Sequence, residues 1–70
     1  MPRYYFHYRD GSSLFEDDVG EVFADATLAM QHATKIAREL TRGGEPIYAA
    51  IVVVEGGQHL FEVPLGEQGD

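Results

Sequence analysis

Three histidines, His7, His32 and His59, and a run of carboxylates, Glu16, Asp17, Asp18 and Glu21, are the residues here best suited to chemistry. Histidines bind metals or carry protons, but a metal site needs several ligands to converge on one point, held by an oriented outer shell. His7 falls in an aromatic strand, His32 in a helix and His59 just past a Gly-Gly turn. The strand registers derived below send His7 and His59 to opposite sheet faces and His32 to the flank of the helix's apolar stripe. Three separate surface or boundary histidines are therefore expected, and no metal. The acidic run could offer oxygens to Ca²⁺ or Mg²⁺, yet it lacks the alternating ligands, central Gly and final Glu of an EF-hand loop. It reads as a solvated acidic turn. Ser12 and Ser13 sit at a turn without an identifiable base, and the glycines form neither GxGxxG nor a P-loop. A 70-residue chain rarely encloses a substrate pocket by itself. The expectation is no catalytic residue, no cofactor and no enzyme activity.

Composition narrows the partners. The formal net charge is −7, with 12 acidic against 5 basic residues. Such a chain repels nucleic-acid phosphates and anionic membrane surfaces. The four tyrosines and four phenylalanines could stack on single-stranded nucleic acid, but that mode needs interleaved cations, and only Arg3 and Arg9 flank the aromatic strand. There is no cysteine, so disulfides and the familiar zinc spacings are excluded, and a reducing compartment fits. The longest apolar run, Ile47 to Val54, has strand length, far short of the ~20 residues of a membrane helix. MPRYYFHYRD lacks the basic stretch and apolar segment of a secretory signal. One soluble, cytoplasmic domain over residues 1–70 is expected, with 66–70 as a frayed tail.

The elements follow from pattern. Arg3 to Arg9 is aromatic and reads as a strand, closed by the Asp10-Gly11 hairpin signal. A tight turn there pairs Tyr8 with Ser13 and His7 with Leu14. Tyr4, Phe6, Tyr8 and Phe15 then share one face, and Tyr5, His7, Leu14 and Glu16 the other. Val22 and Phe23 lead to Asp25, an N-cap whose carboxylate can accept from the first helical turn. Phe23 is placed to pack on that turn as a hydrophobic staple. The helix runs to Arg42 with Ala29, Ala33, Ile36, Ala37 and Leu40 on one face, and Gly43-Gly44 stops it. Gly43 to Pro46 is a short connector. Ile47 to Glu55 is apolar on both faces, as a central strand is. Gly56-Gly57 turns the chain into Gln58–Leu65, whose Pro64 marks an edge strand. A tight turn pairs Val54 with His59 and Ala50 with Val63.

These elements compose an α+β fold, β-β-α-β-β. Its four-stranded antiparallel sheet takes the order 2-1-3-4, with one helix packed on one face. The helix covers only that face. The other is expected to expose Tyr5, His7, Leu14, Ile51, Val53 and Leu60, the kind of surface that marks a partner. A second copy is the expected partner, because a domain this small gains from association. The plainer alternative is a face kept wet by Glu16 and Glu62.

The opening MPRYYFHYRDG, the acidic D-x-x-G turn at Asp17 to Gly20 and the helix opening Asp25-Ala26 resemble a family of small bacterial proteins of unknown function. Its members run MPRYFFH…DG…D…G… into an Ala-rich helix and a final hairpin. The resemblance spans most of the chain and implies a bacterial cytoplasmic protein, but no activity or site. The chain is also similar, more distantly, to HicB-type antitoxins, which pass from a Tyr-rich strand through a D-x-G turn into a like helix. It lacks their Leu-Pro-Gly-Cys segment and their DNA-binding domain. That likeness implies a neutraliser whose Glu16, Asp17, Asp18 and Glu21 face a basic protein. The leading expectation is an acidic homodimeric structural or interaction module, which engages another protein as well.

Overall fold

The computed structural model describes residues 1–44 and 48–66. Strands β1 (Arg3–Asp10), β2 (Ser13–Phe15) and β3 (Glu21–Val22) precede helix α1 (Ala26–Arg42), and β4 (Ala50–Glu55) and β5 (Gln58–Pro64) follow it. The sheet is antiparallel throughout, in the order β2-β1-β4-β5, with β3 also paired to β1. The order of the four longer strands is the expected one. The fifth, β3, lies where the acidic turn was expected to end and Val22 to lead into the helix.

Helix α1 forms for the reasons its sequence carries. The Asp25 carboxylate accepts from Leu28 N at 3.0 Å. At the other end Gly43 N donates to Glu39 O, and Gly44 takes φ +90°. Ala29, Ala33 and Ala37, four residues apart, have no exposed surface. Their methyl groups let α1 lie close on β4 and β5. Beneath them are Ile51, Val53, Val63 and Leu65, with Tyr4 and Ala49 completing the core. Burying a side chain the size of Ile51 or Leu65 contributes roughly 1.5–3 kcal/mol. Burial pushes the Tyr4 phenol above its ordinary pKa, and the charges of Glu55 and Asp25 add to this.

The hairpin registers differ from the simplest reading in two informative ways. In the first hairpin Tyr8 pairs with Phe15 and Asp10 with Ser13, so the two-residue loop is Gly11-Ser12. Gly11 has φ +63° and Ser12 does not share the positive φ, as a type II′ turn requires. The shift from the expected pairing is two residues, so every face assignment survives. In the second hairpin Val54 pairs with His59 as expected, but Val53 pairs with Phe61. Leu60 is the extra residue of a β-bulge, and Ala50 meets Pro64 rather than Val63.

Two further expectations are corrected. Strand β4 begins at Ala50; Tyr48 is an exposed turn residue. Ile47, Glu45, Pro46 and residues 67–70 lie outside the described residues. More consequentially, β1 meets β4 with Phe6 opposite Val53 and Tyr8 opposite Ile51. Ile51 and Val53 therefore point at the helix, 1 % and 0 % exposed, and not at the open face. Their places there are taken by Val52, opposite His7, and Val54, opposite Tyr5.

Candidate interaction surface

The open face of the sheet is built from alternate residues of its strands. β1 contributes Tyr5, His7 and Arg9; β2 contributes Leu14, paired with Arg9; β4 contributes Ala50, Val52 and Val54; β5 contributes Glu62, opposite Val52, and His59, opposite Val54. The bulge at Leu60 places His59 and Glu62 on one side, although an unbroken strand turns residues three apart to opposite sides. His59 Nε2 lies 3.7 Å from Glu62 Oε2.

Arg9 and Glu62 form a two-pronged pair, Nη1 to Oε2 at 2.6 Å and Nη2 to Oε1 at 2.7 Å. They stand on β1 and β5, so the pair bridges β4 above Ala50 and Val52. This explains why Ala50 and Val52, on the face without a helix, are only 2 % and 7 % exposed. The Arg9 hydrogen bond holds Glu62 below the ordinary carboxylate pKa against the opposing effect of burial, and Glu62 in turn raises Arg9. Of the six residues expected on this face, Tyr5, His7 and Leu14 are there, and Ile51 and Val53 are in the core. Leu60 sits in the bulge, 38 % exposed. Arg9, Val52 and Val54 were missed, and Glu62, expected on this face as a residue that keeps it wet, is instead paired with Arg9. Opposite charges on two strands flanking a central one were the available signal, but it has meaning only once the β1–β4 register is known.

Two of the three histidines are arranged otherwise than expected. His7 and His59 share the open face. His7 Nδ1 accepts the Asp17 backbone N–H at 2.9 Å. His32 lies on the helix side as a half-buried boundary residue, its ring edge-on to Phe6 at 4.9 Å and 5.1 Å from that of Phe23. Phe23 thus packs on His32 and Phe6, one turn further along than a staple would reach. Among the described residues no three His, Asp or Glu side chains converge as metal ligands.

The acidic turn is not one partner-facing patch. Asp17 Oδ2 accepts from Phe6 N at 3.2 Å, and Oδ1 accepts from Val19 N and Gly20 N at 3.0 and 3.1 Å. Partial burial pushes Asp17 up, but the bonds from Gly20, Phe6 and Val19, with His7 nearby, outweigh it and lower its pKa. Its carboxylate does the work of a strand carbonyl along the β1 edge, between the stretch paired with β2 and that paired with β3. Glu21, on β3, points to the helix side, 3.4 Å from His32 Nε2. Glu16 and Asp18 are exposed.

A separate apolar cleft of about 330 Å³ opens between α1 and β5, lined by Ala26, Thr27, Met30, Gln31 and Phe61. None of these side chains titrates.

A family model described as a domain of unknown function (DUF6894) matches residues 3–66. No curated protein and no solved structure matches the chain.

Proposed function

The chain belongs to the DUF6894 family of domains of unknown function, and from that premise we propose that it is a non-enzymatic protein-interaction module. Its docking surface is the open face of the sheet. One observation carries this reading: α1 covers a single face, and among the described residues no second layer covers the other, which keeps Tyr5, Leu14 and Val54 around the Arg9–Glu62 pair. The polar groups of that face bond to one another instead of converging on a cavity, which favours docking over catalysis. We place the protein in the bacterial cytoplasm, in keeping with its lack of cysteine; no helix among the described residues is long and apolar enough to cross a membrane.

The second reading, a neutraliser of a basic protein, has less support. Asp17 is committed to holding its own turn and Glu21 faces His32, which leaves Glu16 and Asp18 as the outward charges.

The test is affinity capture with the tagged wild-type chain and its Leu14→Lys variant as baits, counting an untagged copy of the chain as a partner. Leu14 is 47 % exposed, so the substitution is expected to leave the fold intact. A partner held by the wild type and lost from the variant is expected. Identical captures from both baits, or none from either, would remove the open face from consideration.

A further inference from the structure

We infer that the occupant of the open face is a second copy of this chain. This rests on the reading of that face as a docking surface and names its partner.

Charge carries the argument. Two chains of formal charge −7 repel at long range, so they can meet only through a surface that escapes the acidic excess. The open face is such a surface. Its charged strand residues are Arg3 and Arg9 against Glu62, while strand residues Asp10, Glu21 and Glu55 alternate onto the helix side. Arg3 Nη1 is held by Val19 O at 2.9 Å, and Arg9 is bonded to Glu62. The strands of the face therefore offer a basic partner little to hold and carry no acidic excess of their own, the exposed Glu16 and Asp18 lying on the turn along its β1 edge.

Size and edges agree. The molecule measures 33 × 26 × 16 Å, so its broad faces are of the dimensions needed for the ~800 Å² that each partner of a stable complex buries. Growth by edge pairing is opposed: β5 carries the Leu60 bulge and ends at Pro64, and β2 is three residues long. Face-to-face packing about a two-fold axis is a symmetric route that these edges leave open.

Sedimentation velocity over a wide concentration range tests this, run at about 50 and about 500 mM NaCl, where the screening length falls well below protein dimensions. The expected result is a dimer that tightens with salt, because screening relieves the repulsion between acidic copies. Leu14→Lys and Val54→Lys should each weaken it by roughly tenfold or more, an interfacial cost of about 1.4 kcal/mol. Phe15→Lys, 60 % exposed on the opposite side of β2, should leave it unchanged. Circular dichroism identifies a variant that fails to fold, and Leu14→Lys, at an exposed position, keeps the test open should Val54→Lys do so. A monomer at every concentration and salt overturns the inference, as does a dimer weakened by salt or indifferent to both open-face variants. A monomeric wild type that still captures a foreign partner, lost with Leu14→Lys, overturns self-association alone and leaves the docking face standing.

Discussion

Gly20 has φ +73° in a place without room for a methyl group. An ideal Cβ there would lie 2.9 Å from both Tyr4 O and Tyr5 Cε2 and 3.0 Å from Arg3 Cγ. The backbone carbonyl cannot swing away, because it belongs to the strand that β3 pairs with. Gly20→Ala is therefore expected to destabilise the fold by roughly 2 kcal/mol or more, combining left-handed strain with a steric clash. Urea unfolding of the two chains measures it, and an unchanged midpoint would contradict this account of the turn. The D-x-x-G spacing was visible in the sequence as a turn. That Asp17 stands in for a strand carbonyl was not, because the Phe6 amide it satisfies is eleven residues away.

At the scale of elements, α1 was almost fully legible. Its cap, its alanine stripe and its glycine stop are local signals, and each acts within a turn or two of itself. The buried stripe sets the distance between helix and sheet. Ala33→Leu inserts three carbons into a contact with no exposed surface, so a loss of about 1–3 kcal/mol or more is expected in thermal or urea melts. The same change at exposed Gln31 should be nearly neutral. The hairpins were legible in position but not in register. A two-residue error in the first left its faces intact, because side chains alternate with period two. The single extra residue at Leu60 carried His59 and Glu62 to one face.

For the whole molecule, acid is the natural probe. Asp17 and Glu62 both titrate below their ordinary values when folded, each held down by hydrogen bonds that outweigh burial. Such carboxylates stabilise the fold fully above the ordinary carboxylate pKa near 4, and the contribution disappears as pH falls through their lowered folded-state values. The unfolding temperature should thus hold from neutral pH to about 5 and fall below about 4. Asp17→Asn should cost about 1 kcal/mol or more at neutral pH, since the NH₂ that replaces one carboxylate oxygen cannot accept and leaves either the Phe6 N–H or those of Val19 and Gly20 without their acceptor, and it should flatten the acid limb. A parallel acid limb in the variant would show that Asp17 does not contribute to it.

The sequence alone determined what neighbouring residues decide together: the helix and its buried side, the two hairpin turns, the strand order, and an acidic balance unsuited to polyanions. Tertiary structure alone decided how β1 lies against β4. Those strands are joined by no turn, so nothing local chooses between registers one residue apart, and both are apolar enough to tolerate either. Packing beneath the helix chose the register. Ile51 and Val53 fit under the alanine stripe beside Tyr4. That choice turned Val52 and Val54 outward, with His7 and His59 on the same side, and brought Arg9 within reach of Glu62 across the strand between them.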